Sequence, residues 1–397
     1  MSGNCRYRPT AGSWVIVADG IHRGGGMERA NAALAEYLCA IGAAVHLVSY
    51  RIEPALAAHP AVTAHEVRLP AASPILGMWQ LDRTGRRVAN ELKACESDVR
   101  VVVNGTNCDW PDINWIHYVH HAWKGRTDRA PFWYKSKAAA EHWINLRRER
   151  RILPRARILM ANSERTRNDL LTHLHLERER LHTVYLGTDN WGEATPAHRA
   201  AARARLRQPA GRPLVIFVGA MGYDLRKGFD TLWRAWQELC ASPQWDANLI
   251  VAGAGRRLKS WQQAITDSGL NANVQIIGFT ERISELIAAA DLLVSPVRYE
   301  AYGLNVQEAL CCGVPAIVSA SAGVAEKYPS TMKELLIRNC DNAHELAFRM
   351  RNWRAQMERF RRLTVPLAGQ LRSYSWRTMA EQIVALANVN TDTAKAN

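Results

Sequence analysis

Apolar residues in this chain fall in short runs separated by turn residues. Trp14 to Asp19 (WVIVAD) has the pattern of a buried strand. It leads into Gly24-Gly25-Gly26, after which apolar positions at 30, 34, 37, 38 and 41 predict a helix from about Met27 to Ile41, ended by Gly42. Val45 to Ser49 repeats the strand pattern. Strand, helix and strand at this spacing form a βαβ unit, which implies a parallel sheet with a right-handed crossover. Val99 to Val103, Ile113 to Val119, Ile158 to Ala161 and Leu181 to Leu186 read as further strands.

Residues 190–212 break the pattern. They are polar, rich in Arg and Ala, and bounded by prolines, which predicts a linker with a short helix. A second series follows. Strands are predicted at Leu214–Val218, Asn248–Ala252, Val274–Ile277, Leu292–Ser295 and Ala316–Ser319. Helices are predicted at Phe229–Cys240, Trp261–Gly269, Ile283–Ala290 and Val306–Cys312, and helices dominate thereafter. No repeat of 20–50 residues is visible. The expected division is a domain over 13–190, a linker over 191–212, a domain over 213–372 and a final helix over 373–390, with loose tails at 1–12 and about 390–397. The fold class is α/β: two Rossmann-like, doubly wound domains facing an interdomain cleft. In such sheets ligands bind beyond the carboxyl ends of the strands, so chemistry is sought in the loops after strands.

Composition narrows the class. With 397 residues, two or three domains are expected. Hydrophobic residues make up 48% and charged residues 22%, ordinary globular usage that argues against a largely disordered chain. No apolar run reaches the roughly 18 residues of a membrane-spanning helix, and the first residues show no signal-peptide core. The eight cysteines form no Cys-x-x-Cys and no Cys/His metal spacing, which points to a reduced, cytoplasmic interior without structural zinc. The net charge of +14 implies an anionic partner. No nucleic-acid reader motif is visible, so no nucleic-acid partner is expected.

The segment from Val294 to Ile317 carries the densest chemistry. Glu300 closes a loop after a strand, Gly303 permits a tight backbone path, and a helix begins near Leu304. A helix start offers N–H groups and a positive dipole end to an anion such as a diphosphate. Glu308 lies about a turn into that helix. In the other half-motif, Arg226 and Lys227 precede a helix, placing two cations in a loop after a strand, where a phosphate is well matched. Gly24-Gly25-Gly26 opens the first helix, but Arg29 stands where a dinucleotide fingerprint needs glycine, which disfavours a nicotinamide- or flavin-dependent oxidoreductase. Ile113 to Trp123 runs into a loop with His117, His120 and His121. No Asp-x-Asp cluster suggests a metal-dependent transferase.

These motifs resemble those of retaining glycosyltransferases of the GT-B fold, in particular glycosyltransferase family 4 (glycosyl transferases group 1). The resemblance rests on Glu300-Ala-Tyr-Gly-Leu304, Glu308-Ala309, Gly313-Val-Pro315, Lys227-Gly228, Gly24-Gly25-Gly26 and Tyr118-Val119-His120. Asn162-Ser163-Glu164, Gly187-Thr188-Asp189 and Gly323-Val-Ala-Glu326 are further landmarks. It implies that the first domain serves the acceptor and the second binds a nucleotide sugar, with the last helix crossing back to the first domain. It implies Glu300 at the donor sugar, Glu308 at the ribose, and the diphosphate on Lys227 and the amides after Gly303, including Leu304 and Asn305. Arg226 is the expected second cation, because Ala220 stands where the family often has Arg. Gly25 and Gly26 are expected beside the donor, and His120, with His117 as second candidate, beside the transferred sugar. Ala301 replaces the usual Gly and narrows the sugar space.

The expected function is transfer of a sugar from a nucleotide diphosphate sugar to a hydroxyl of a glycan, lipid-linked or small-molecule acceptor, without metal or other cofactor. The alternative is a non-catalytic relative that binds a nucleotide sugar or anionic glycan. Lys124 to Arg157 carries eleven basic and three acidic residues interleaved with aromatics. It reads either as a solvated face or as an interfacial helix on an anionic membrane, which would make the protein peripheral on the inner face of the membrane.

Overall fold

The computed structural model describes residues 11–68, 74–127, 130–189 and 191–395. Most of the expected N-terminal tail lies outside these residues. The chain forms two compact units, neither contiguous in sequence. The first takes residues up to Lys124, Lys137–Gly187 and Ser375 onward; the second takes Gly125–Ser136 and Thr188–Tyr374.

The first unit is built on a parallel sheet. Its strands are β1 (Ser13–Val17), β3 (Ala44–Ser49), β5 (Val62–Glu66), β6 (Val99–Asn104), β7 (Ile113–Ile116), β8 (Ile158–Ala161) and β9 (Leu181–Thr183), in the order β5-β3-β1-β6-β7-β8-β9. The short strands β2 (Gly20–Ile21) and β4 (Arg51–Ile52) pair separately. Every residue of β1 is buried, as expected of a parallel strand covered on both faces. Helices α1 (Gly26–Ala40), α2 (Pro54–Ala57), α3 (Pro74–Cys95), α5 (Glu164–Leu174) and α13 (Trp376–Lys395) belong to this unit, and α4 (Phe132–Ile152) begins in the second unit and ends in the first.

The expected strands are present, with shorter ends at β7 and β9. The expected tail from 390 is instead the last turn of α13. Helix α3 escapes the hydrophobic pattern because glycines interrupt it. Gly85 has a packing reason: a Cβ there would lie 3.0–3.1 Å from Val17 and Cys108, so its absence lets α3 settle on β1. Gly187 has a similar one, since a Cβ would come within 2.5 Å of the Trp376 backbone where α13 starts. Helix α13 then packs on α1 through a buried stripe of Met379, Ala380, Ile383 and Ala387.

The second unit repeats the plan. Strands β10 (Leu214–Val218), β11 (Asn248–Ala252), β12 (Val274–Gly278), β13 (Leu292–Ser295), β14 (Ala316–Ser319) and β15 (Leu336–Ile337) form a parallel sheet ordered β12-β11-β10-β13-β14-β15. Strands β10 and β13 are neighbours, with Val215 facing Leu292. Helices α7 (Phe229–Cys240), α8 (Leu258–Asp267), α9 (Ile283–Ala289), α10 (Leu304–Cys311), α11 (Ala343–Ala355) and α12 (Met357–Arg372) complete it. Residues 191–212, expected as a linker, contain α6 (Pro196–Arg205) and are tied to this unit: Arg199 and Arg203 both pair with Asp291, whose carboxylate also accepts from the Leu214 amide.

Candidate active site

Two loops of the second unit leave the carboxyl ends of adjacent strands. The loop after β10 ends in a 3-10 turn, Leu225–Lys227, and the loop after β13 carries Glu300. Gly228, at φ 71°, joins the turn to α7. A Cβ there would sit 1.9 Å from the Pro296 carbonyl, so the two loops touch backbone to backbone and only glycine fits. This contact brings Lys227 onto Glu300, where the ammonium donates to a carboxylate oxygen. Burial alone would raise the Glu300 carboxyl. The Lys227 and Arg226 charges and the Lys227 hydrogen bond outweigh it and hold the group below its ordinary value. The Arg226 amide donates to Asp224 at 3.1 Å.

Gly303 caps α10 at φ 113°, in the left-handed region that favours glycine. The first N–H groups of α10, those of Leu304 and Asn305, have no acceptor within the helix and face the positive dipole end. The Asn305 side chain is committed elsewhere, donating to the Val218 carbonyl at 3.1 Å, so its amide is the part left for a ligand. Glu308 lies in the second turn of α10 and is 5% exposed. Ala301 and Tyr302 are buried behind it, with Tyr302 bonded to Gln307. The Gly323 landmark also finds a role. Gly323 N–H donates to the Glu300 carbonyl at 3.2 Å and Val324 N–H to the Tyr302 carbonyl at 2.7 Å.

In the first unit the glycine triplet lies between β2 and α1. Gly25 is extended, at φ −159°, and none of the three glycines adopts the left-handed region. A Cβ on Gly25 would lie 2.2 Å from the Glu28 carboxylate, the mobile end of a side chain that can turn aside. Gly26 begins α1. Asp19 lies near this loop; burial and Glu28 raise its carboxyl, against a hydrogen bond from Asn107.

His117 follows β7 directly. Neither ring nitrogen has a hydrogen-bond partner among the described residues, and the ring tilts against Trp115 at 4.5 Å. Burial pushes its pKa down to about 3, so it is neutral at physiological pH. His120 begins a 3-10 turn, His120–Ala122, with its ring edge-on to Tyr118 at 4.7 Å. The turn is held by Glu149 of α4. This buried carboxylate accepts from the His120 amide at 2.6 Å, the His121 amide at 3.1 Å and His121 Nδ1 at 2.6 Å. Burial raises the Glu149 carboxyl, and these three donors pull against it.

The structure therefore gathers Arg226, Lys227, Glu300, Gly303, Leu304 and Asn305 at the ends of β10 and β13. It places Gly25, Gly26, His117 and His120 in the first unit, after β2 and β7. Glu149 and Arg298 were not singled out in the sequence. Glu149 sits in the run Arg147-Arg148-Glu149-Arg150-Arg151, where a lone acid among arginines is the signal of a buried partner. The run itself is less free than its charge suggests. Arg148 donates to the Thr106 carbonyl, Arg151 and Arg155 pair with Asp109, and Arg157 pairs with Asp112. Trp143, with Arg147 stacked on it at 4.0 Å, and Arg150 are exposed. No helix among the described residues is long and apolar enough to cross a membrane.

Known proteins resemble this chain in sequence and in fold. The chain is 27% identical over 216 residues to 2-deoxystreptamine N-acetyl-D-glucosaminyltransferase of Streptomyces fradiae, covering 51% of this chain and 48% of that one. It spans about half the length of the curated relatives it matches. Sucrose-phosphate synthase from Thermosynechococcus elongatus superposes with a TM-score of 0.74 at 19% identity, covering 98% of this chain and 100% of that one. Anabaena Alr3699/HepE in complex with UDP-glucose superposes with a TM-score of 0.70 at 17% identity, covering 96% and 99%. Two family models, Glycosyltransferase Family 4 over residues 24–190 and Glycosyl transferases group 1 over residues 198–363, together take in most of the chain, which belongs to this family of GT-B glycosyltransferases.

Proposed function

We propose that the protein is a retaining glycosyltransferase that moves a sugar from a nucleotide diphosphate sugar to a hydroxyl acceptor. The observation that carries this reading is the Lys227–Glu300 pair beside the start of α10. In the apo site the carboxylate and the ammonium neutralise each other. A donor diphosphate takes over Lys227, with Arg226 and the Leu304 and Asn305 amides, and leaves Glu300 to accept from the donor-sugar hydroxyls. Charge that builds on the leaving diphosphate then meets cations and N–H groups already in place, which is where electrostatic catalysis acts. These groups supply the positive charge that a metal supplies elsewhere. Glu308 is assigned to the ribose, and the buried Glu149 fixes the turn from which His120 reaches the sugar or its acceptor. Binding of UDP-glucose by the Anabaena relative supports a nucleotide sugar as donor.

The test is release of nucleoside diphosphate from UDP-, GDP- and ADP-sugars, with the product anomer read by NMR. Turnover with retained anomeric configuration, unaffected by EDTA, is expected. Binding without turnover across acceptors of all three kinds would instead favour a non-catalytic relative, and an inverted anomer would refute the retaining mechanism.

A membrane-linked acceptor is a second reading, favoured by the exposed aromatics Trp79 and Trp143, each with an arginine over its ring. An amphipathic aromatic beside a cation suits the headgroup region of an anionic leaflet. The proposed location is cytoplasmic, with peripheral association on the inner face.

A further inference from the structure

The turn that carries Arg226 and Lys227 is braced from outside its own loop. Two chain segments far away in sequence grip it by its backbone. The Arg298 amide donates to the Arg226 carbonyl at 2.8 Å, and the Arg298 guanidinium donates to the Leu225 carbonyl. The Leu225 amide in turn donates to the Arg126 carbonyl at 3.2 Å.

The side chains of the same two arginines are joined by carboxylates. Arg298 makes a bidentate pair with Asp230 at 2.7 and 2.8 Å, and its Nε donates to Asp341 at 2.7 Å. Asp341 also accepts from Arg126 at 2.8 Å. Arg126, Asp341, Arg298 and Asp230 thus alternate in sign around the turn. The Arg298 side chain is 3% exposed and the Arg126 side chain 48% exposed. Asp341 carries both arginines, and their charges outweigh burial to hold its carboxyl below the ordinary value. Nearby, Tyr134 packs on Tyr223 at 5.0 Å, and Arg256 lies over Trp133 at 5.5 Å. Arg126 and Tyr134, in a stretch placed in the first domain by sequence order, therefore belong with the second unit and contact the loop that bears Arg226 and Lys227.

We infer that Arg126 and Arg298 are positioning residues for the donor, acting through the backbone of the Leu225–Lys227 turn to aim Lys227. This rests on the donor-site reading above. Lys227 is paired with Glu300 before a donor arrives, and the brace fixes the backbone from which it projects. Two aspartates offset Arg298, and the Arg126 carbonyl and guanidinium close the brace from the other side. A cation held in place before the donor arrives loses less freedom on binding. Arg126 is the member open to change without disturbing a core, because half of its side chain faces solvent.

The test uses the full chain and calorimetric titration with UDP, GDP and ADP, the tightest serving as probe. Arg126→Ala should weaken that probe roughly 5- to 10-fold, the size of one well-placed charged contact. It should raise donor KM with kcat nearly unchanged, and Arg126→Lys should recover part of the loss. In a Lys227→Ala background the Arg126→Ala effect should shrink sharply, since only Arg226 is left on the turn to position. An Arg126→Ala loss of the same factor in both backgrounds would mean a general structural role and would overturn the inference, as would no loss at all. Arg298→Lys gives the same cycle from the buried side; Arg126 keeps the test decisive if that variant misfolds. If Lys227→Ala leaves probe affinity unchanged, or no nucleoside diphosphate binds, the donor-site reading itself falls.

Discussion

Lys227 and Glu300, 73 positions apart in sequence, meet as a hydrogen-bonded ion pair because Gly228 lets their two loops touch. Each is the other's counter-ion until a donor arrives. Glu300→Gln and Lys227→Ala should each lower kcat/KM by roughly 100-fold or more, the scale of losing one charge-stabilising group. Because the pair acts as a unit, the double variant should lose less than the product of the single losses. Steady-state kinetics on the four proteins of the cycle measures this.

The depressed Glu300 carboxyl sets the sign of a pH effect. Its folded-state pKa lies below the ordinary 4.5. The stability it contributes is therefore fully present above 4.5 and is lost as pH falls through the folded value. Thermal melts of wild type and Lys227→Ala between pH 7 and pH 3 should converge at the acid end. A wild-type advantage that grows as pH falls would contradict the pairing.

His117 gives a separate window. Its pKa falls from 6.5 to about 3, so the unfolded chain binds a proton that the folded chain does not between those values. Stability from this site is whole above 6.5 and declines as pH drops toward 3. A His117→Gln variant should show a flatter melting temperature across that range. An unchanged slope would mean that His117 takes up its proton without unfolding.

Glu149→Ala removes the acceptor of two amides and one imidazole. Buried donors left without a partner make this costly, at about 2–4 kcal/mol of stability. Glu149→Gln keeps the shape and should cost less. In that milder variant kcat should fall while nucleotide affinity stays near wild type, because the turn it holds belongs to His120 and not to the Lys227 loop. Urea titration and nucleotide binding separate the two effects.

Membrane affinity is read by co-sedimentation with vesicles of anionic lipid at low and physiological salt. The combination Trp143→Ser, Arg147→Gln and Arg150→Gln should reduce binding, which should itself weaken with salt as charges are screened over about 8 Å. Arg148 and Arg151 are left intact because they pair within the protein. A protein that ignores such vesicles at low salt has no membrane face there.

Much of this was legible in the sequence. Strand runs such as Leu214–Val218 and Leu292–Ser295 are apolar but for the closing Ser295, so their ends were read to the residue. The Glu300–Glu308 spacing and the Lys227-Gly228 pair pointed to the two loops that the structure brings together. The brace around Lys227 was not legible, because Arg126, Arg298 and Asp341 belong to three segments whose meeting depends on the tertiary fold. The sequence showed the glycine triplet before α1 but not that the Glu28 carboxylate lies against Gly25. The charge of 124–157 did not tell which of its arginines pair with Asp109 and Asp112, in the loop between β6 and β7.

Helix α13 lies on α1, although the whole second unit separates the two in sequence. A ribosome working at about 5–20 residues per second needs roughly 10–40 s to go from Gly187 to the end of α13. For that time the α1 surface that Met379 and Ile383 will cover stays open to solvent. Gene fusions that split the chain at Gly187 leave that surface bare for good, so a recombinant half made this way should aggregate, whereas co-expression with a segment supplying α13 should rescue it.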